Sequence, residues 1–280
     1  MTMQVRAPTY PTRLVVLGHP VAQSLSPQFQ NAALHHAGLT QRYSAIDVSA
    51  TALIDTMAQL AREGAGGNVT MPHKQAVFAL ASRNSPLATR LGAVNTFWHD
   101  NGALVGHNTD VAGVLASVLA LCPHGVRGAR CVVLGSGGAA AAAFVALETL
   151  GCRDVQVWAR SPQRARLTAR RSCVAIELAP SLAAALDGAV VVVNATPIGM
   201  DGVDMPLTPD DLPDDIAVCD LVYHRDTTAF VRRCRARGLR AEDGRRMLVE
   251  QGAESFRTWF DLEPSLDVMW QALGEMRADA

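Results

Sequence analysis

The stretch Arg130-Cys131-Val132-Val133-Leu134-Gly135-Ser136-Gly137-Gly138-Ala139-Ala140 decides the fold class. A short valine-rich run reads as a buried strand of a parallel sheet. It breaks at Gly135, and the alanine-rich segment Ala139 to Leu150 then reads as a helix. Strand, glycine-rich turn and helix fit G-x-G-x-x-G/A, with Ala140 in the last place. There the first glycine permits the tight turn and the second lets main chain approach a pyrophosphate. The small third residue lets the helix pack on the strand, and helix N-terminal N–H groups meet the phosphate. Gly135, Ser136, Gly137, Gly138 and Ala139 are the candidate cofactor contacts. A glycine-rich turn with no ligand is the alternative.

The following strand bears on which dinucleotide. A cofactor without a 2′-phosphate usually meets an acid about 20 residues on, at a strand end. Here the strand ends Val157-Trp158-Ala159-Arg160-Ser161, and Asp154 lies at its other end. Arg160 and Arg164, with Ser161 between, stand where a ribose phosphate would be held by charge-assisted hydrogen bonds. NADP is therefore the expected cofactor. Alternatively these arginines form a solvated helix face with Arg166, Arg170 and Arg171, a reading that suits the last three.

Working toward the N-terminus, Asn68-Val69-Thr70-Met71-Pro72-His73-Lys74 places a lysine past a Gly-Gly-strand-Pro turn. Gly106-His107-Asn108-Thr109-Asp110 places an aspartate on a similar polar turn. Ligand sites in open α/β sheets form at such strand ends. An amine and a carboxylate at one site move protons, and proton handling beside a nicotinamide suggests a dehydrogenase. By themselves, Lys74 would be a surface lysine and Asp110 a helix N-terminal acid answering the dipole.

The rest of the pattern alternates strands and helices. Arg13 to Leu17, Tyr43 to Val48 and Gly67 to Met71 read as strands; helices follow Pro27, with Ser26 as N-cap, and run from Thr51 to Glu63. Pro72 starts a short helix. Gly92 to Trp98 and Ala103 to Gly106 flank Asp100-Asn101-Gly102, a hairpin signal. A long apolar helix runs from Asp110 to Leu121. Ala189 to Asn194 and Ile216 to Val222 are further buried strands, and helices at Asp226 to Arg237, Met247 to Phe260 and Leu266 to Arg277 close the chain. The fold class is α/β: a mixed-sheet N-terminal domain and a C-terminal Rossmann-type domain. Two domains also suit 280 residues.

Charge is balanced, with 25 basic and 26 acidic residues, so no electrostatic footprint for nucleic acid or an acidic membrane appears. The N-terminus lacks a signal-peptide core, and Gly137 to Ala146 is too short to span a bilayer. Six cysteines without a C-x-x-C pair read as reduced thiols in a cytoplasm, not as a disulfide framework or a metal site.

Taken in order, these motifs resemble the shikimate dehydrogenase family along nearly the whole chain. Gly18 to Pro27, Asn68 to Lys74, Gly92-Ala93-Val94-Asn95-Thr96 and Asn108-Thr109-Asp110 carry the first half of the resemblance. Gly135 to Ala140, Asn194 to Met200, Asp220-Leu221-Val222-Tyr223 and Asp243-Gly244 through Gln251 carry the second. The resemblance implies NADP-dependent interconversion of 3-dehydroshikimate and shikimate, on the route to chorismate and the aromatic amino acids. It implies a substrate domain over 1–109, completed by 244–280, across a cleft from a Rossmann domain over 110–243. Lys74 and Asp110 would be catalytic. Ser24 and Ser26 would hold the substrate carboxylate, with Thr70, Asn95, Tyr223 and Gln251 as further substrate contacts. Thr196, Leu221 and Gly244 would join the cofactor contacts. Gln23, Ala159 and Arg246 stand where the family often has histidine, a polar residue and glycine.

Other readings of these residues stay open. Ser26 serves as an N-cap, Asn95 and Thr96 as hairpin edge residues, Tyr223 as packing and Gln251 as a solvated helix position. Shikimate and 3-dehydroshikimate are the expected partners, with no nucleic acid and no membrane, for a monomer or homodimer. A dehydrogenase accepting quinate or an amino analogue is the near alternative. A non-catalytic sensor of the same fold should lack the lysine or the aspartate, and both are present.

Overall fold

The computed structural model describes residues 10–224 and 226–274. The chain divides into two compact units. One holds the residues up to Thr109 and those from Gly252 onward; the other is Asp110–Gln251.

The first unit runs β1 (Leu14–Gly18), α1 (Ser26–His36), β2 (Tyr43–Asp47), α2 (Leu53–Glu63), β3 (Gly66–Val69), α3 (Lys74–Leu80), β4 (Arg83–Asn84), α4 (Pro86–Leu91), β5 (Thr96–Asp100) and β6 (Ala103–His107). Its mixed sheet has the order β2-β1-β3-β5-β6-β4. β1 pairs parallel with β2 and β3, while β5 pairs antiparallel with β3 and β6. The hairpin turns at Asn101 and Gly102, both in the left-handed region. Val15, Leu17, Val69, Val94 and Phe97 form the core beneath α2, whose Leu53, Met57 and Leu60 stripe faces inward.

The second unit runs α5 (Asp110–Leu121), β7 (Arg130–Leu134), α6 (Gly138–Thr149), β8 (Asp154–Trp158), α7 (Pro162–Ala169), β9 (Ala175–Leu178), α8 (Leu182–Leu186), β10 (Ala189–Asn194), β11 (Ala217–Asp220), α9 (Ala229–Ala236), β12 (Ala241–Glu242) and the start of α10 (Arg245–Phe260). The sheet is parallel throughout, in the order β12-β11-β10-β7-β8-β9. The strand order reverses between β7 and β10, which is the doubly wound arrangement. Val132, Leu134, Val192 and Val218 meet α8 and α9 on one face. α5 and α6 pack together.

α10 is one continuous helix whose residues group with different units. Residues 244–251, placed by the sequence reading with the substrate domain, pack with the second unit: a Cβ on Gly113 would lie 2.5 Å from Met247 O. The later turns belong to the first unit. Trp259 Nε1 donates to Phe97 O at 3.1 Å, and Gln30 Nε2 donates to Gly252 O at 2.9 Å. Gly252 abuts Phe29 so closely that a Cβ there would sit 2.4 Å from the ring Cε2. Phe29 is fully buried and cannot yield. Gly252→Ala is expected to cost about 1–3 kcal/mol by overpacking, seen as a lower urea midpoint at unchanged slope. The last helix, α11 (Leu266–Ala272), packs against α1.

Some local expectations need correction. Leu25, not Ser26, is the N-cap residue of α1, and it makes no side-chain cap. Ser24 Oγ instead accepts from Ser26 N at 3.3 Å, a local turn that brings Ser26 into the helix. α3 begins at Lys74 rather than Pro72, because His73 N bonds Thr70 O in a tight turn. Gly92 is not strand; it is the left-handed C-cap of α4. Leu273 and Gly274 lie beyond the end of α11, and the remainder of that expected helix falls outside the described residues. Among the described residues no helix is long and apolar enough to cross a membrane, and the six cysteines are free thiols.

Candidate active site

In the first unit, parallel β1 and β3 end side by side, with Leu17 opposite Val69. The loop carrying Ser24 and the turn carrying Thr70 therefore leave the same sheet edge. Thr70 N donates to Leu17 O at 2.8 Å and His19 N to Met71 O at 3.0 Å. β5 runs the other way, so Asn95, just before it, lies at that edge too: Val69 N donates to Asn95 O at 2.8 Å. The Lys74 carbonyl accepts from Val94 N at 2.9 Å, which ties the start of α3 to the same corner. Ser24, Ser26, Thr70, Lys74 and Asn95 thus come together on one rim. Ser26 and Asn95 are buried; Ser24, Thr70 and Lys74 are half-buried.

β6 returns to this edge antiparallel to β5, with His107 opposite Thr96. Thr109 N donates to Asn95 Oδ1 at 2.7 Å. Asp110, the next residue, opens α5 and is buried. His107 contacts Ser85 Oγ through Nδ1 at 2.7 Å, and burial holds its pKa below the ordinary histidine value.

Beneath the rim lies a buried polar network that no local sequence signal anticipates. Asn68 Nδ2 donates to Asn95 O, to Thr96 Oγ1 and to Ser255 Oγ, while Tyr43 Oη donates to Asn68 Oδ1 at 2.6 Å. Ser255 Oγ is also within 3.1 Å of Thr109 Oγ1. The network holds Asn95 and Thr109 in place from strands and from α10. Removing one buried partner leaves the others undersatisfied. Ser255→Ala is expected to lose about 1–3 kcal/mol of stability; an unchanged denaturation midpoint would show that the network is not holding this corner.

In the second unit the fingerprint turn has the required geometry. Gly135 has φ +108°, and a Cβ there would sit 3.0 Å from Ala195 O. Gly137 and Gly138 would carry a Cβ into open space, so the N-terminus of α6 presents an uncovered cradle. Ala140 is fully buried behind it. The residues fit a pyrophosphate by this test. Thr168 Oγ1, on α7, donates to Ser136 O at 2.8 Å and braces the turn.

At the carboxyl end of β8, Arg160 and Arg164 are exposed. Ser161 caps α7 by accepting from Arg164 N at 3.4 Å, which leaves its hydroxyl proton to donate to an anion. Asp154 is engaged at the far end of the strand with Arg130 at 2.7 Å and Arg153 at 2.6 Å.

Thr196, Leu221, Tyr223 and Gly244 follow the carboxyl ends of β10, β11 and β12. Thr196 N and Oγ1 both donate to Asn194 Oδ1. Leu221 N donates to Asn194 O, and Gly244 N to Val222 O. Gln251 is buried on α10, not solvated, and donates to Leu248 O at 2.8 Å. Arg246 folds onto Glu242 at 2.7 Å, so its charge is paired within this unit.

Asp220 organises these loops. It accepts from Asn194 Nδ2 at 2.8 Å, Val222 N at 3.1 Å and Thr228 Oγ1 at 2.9 Å. Burial pushes its pKa up to about 6, against the pull of those donors, and Asp243 adds to the rise. Between the ordinary carboxyl value near ~4 and about 6, the folded protein holds a proton that the unfolded chain releases. The group's contribution is therefore fully present at the acid end and is lost as pH rises through about 6. Asp220→Asn is expected to flatten that part of the profile. Urea midpoints measured from pH ~4.5 to ~7 check it, and an unaltered difference between variant and parent would overturn it.

A parallel, doubly wound unit with this turn, in one chain with a mixed-sheet unit that carries an amine on its rim, defines a dinucleotide-dependent oxidoreductase. Comparison with known proteins specifies the family. Residues 16–97 match the family model for the shikimate dehydrogenase substrate binding domain, and residues 244–273 match the shikimate 5'-dehydrogenase C-terminal domain. A shikimate dehydrogenase (NADP(+)) from Sinorhizobium medicae is 37% identical over 92% of this chain and 93% of its own length. The structure of shikimate 5-dehydrogenase from Thermus thermophilus in complex with NADP(H) and shikimate aligns with a TM-score of 0.84 at 39% identity, covering 94% of this chain and 98% of that one. A quinate dehydrogenase from Corynebacterium glutamicum in complex with NAD gives 0.84 at 31% identity, over 94% and 98%. The chain belongs to the shikimate dehydrogenase family.

Proposed function

We propose that this chain catalyses the reversible, NADP-dependent reduction of 3-dehydroshikimate to shikimate. The observation that carries the reading is the convergence of Ser24, Ser26, Thr70, Lys74 and Asn95 on one sheet rim, in a chain whose other unit offers an uncovered glycine cradle with Arg160 at the next strand end. Bound NADP supplies or accepts the hydride. The protein handles the proton: the Lys74 ammonium gives it to the carbonyl oxygen in reduction, and the amine takes it back in oxidation. Asp110 shares a hydrogen-bond network with that amine and a ring hydroxyl. Ser24 and Ser26 hold the substrate carboxylate, while Thr70, Asn95, Tyr223 and Gln251 orient the ring. Arg160, Ser161 and Arg164 hold the 2′-phosphate.

The six free thiols support a reducing compartment, the cytoplasm. A second reading, quinate as an additional substrate, is favoured by the likeness to the Corynebacterium glutamicum enzyme. Following NADPH formation from shikimate and from quinate, side by side, separates the two. Turnover with shikimate is expected; no reduction of NADP with either acid would reject both readings.

A further inference from the structure

We propose that Trp158 is the platform on which the adenine ring of the dinucleotide stacks. The proposal rests on the NADP reading above and adds a contact that neither the fingerprint nor the arginines supply. Trp158 is the last residue of β8 and lies opposite Leu134, the last residue of β7. Its carbonyl accepts from Gly135 N at 2.9 Å, so the indole is rooted beside the first glycine of the turn. The four residues before it, Asp154 to Val157, are buried, yet Trp158 is 39% exposed.

Strand alternation puts Trp158 on the same face as Gln156 and Leu134, the face covered by α8 and α9. The chain leaving β9 passes beside it: Ala179 N donates to Val157 O at 3.1 Å, and Ala179 and Leu182 pack on the core of that face. Two residues further on is Arg160. A dinucleotide with its pyrophosphate over Gly137 and Gly138 and its 2′-phosphate at Arg160 must put its base within one sugar ring of that arginine. The described unit offers an aromatic surface there. Phe144 and Phe230 are fully buried, and Tyr223 follows β11, in the other half of the sheet. An indole face against a purine gains stacking energy and requires no hydrogen-bond match.

The probe is 2′,5′-ADP, which carries adenine and the 2′-phosphate without nicotinamide, titrated by calorimetry into the full chain. Trp158→Leu is expected to weaken it about tenfold, with Trp158→Phe recovering most of the loss. Binding is also expected to quench the parent's indole fluorescence, and Trp158→Phe is expected to remove that quenching, a readout that survives if the leucine variant folds poorly. If Trp158→Leu binds 2′,5′-ADP like the parent while Arg160→Asp does not, the platform is wrong and the NADP reading stands. If the parent itself fails to bind 2′,5′-ADP, both fall.

Discussion

Lys74→Ala is expected to lower kcat about 10²–10⁴-fold, the usual worth of a positioned acid or base, while the dissociation constant for shikimate changes little. The physical case lies in the placement of the lysine. Lys74 starts α3, and its own carbonyl is pinned by Val94 N. The side chain thus projects from a main-chain position fixed by the same corner that holds Asn95. In the proposed mechanism the amine delivers the proton in the transition state while Ser24 and Ser26 hold the carboxylate, so its removal would act on the chemical step and leave substrate binding in place. An interaction made only in the transition state shows in kcat and kcat/KM together. Lys74 is half-buried, so truncation should leave the fold near its original stability. Unchanged turnover in a folded Lys74→Ala variant would reject the role.

Arg160→Asp is expected to raise the KM for NADP between about tenfold and a hundredfold and to leave NAD nearly unaffected. A hydrogen bond to a charged group contributes about 1.5–3 kcal/mol, and every 1.4 kcal/mol is about tenfold. The carboxylate adds repulsion toward the phosphate. Because Arg160 is exposed, salt screens part of this, and the discrimination should narrow as ionic strength rises. The measurement is the ratio of kcat/KM for the two cofactors. An unaltered ratio would remove Arg160 from the phosphate site and with it the argument for NADP from this strand end.

Much of the architecture is local and could be read from residues in a row. The valine run ending at Gly135, the Asp100-Asn101-Gly102 turn and the helix from Asp110 to Leu121 each stand within a residue or two of their expected bounds. Short elements escaped. α8 has only five residues, although Ser181 caps it, and β9 is an edge strand whose burial alternates. Neither is long enough for its period to stand out from loop. α4 was hidden because Gly92 reads as a strand start, where it is the left-handed cap of a six-residue helix that Pro86 opens.

The site residues divide the same way. The residue types at Lys74, Asp110, the glycine turn and Arg160 carry their chemistry in sequence, because a strand end followed by a polar turn is a local signal. What those residues rest on is not local. Asn68 meets Ser255 across 187 positions, and Thr96 meets the same hydroxyl across 159. The amino-acid order alone therefore determined the two kinds of sheet and the cofactor class, and it named the candidate reactive groups. Only the folded chain decided which buried polar groups satisfy one another, that Gln251 and Ser26 are interior, and that Trp158 stays open to solvent. Hydrogen-bond partners chosen across long loops depend on the packing of every strand between them, and no short window of sequence contains that choice.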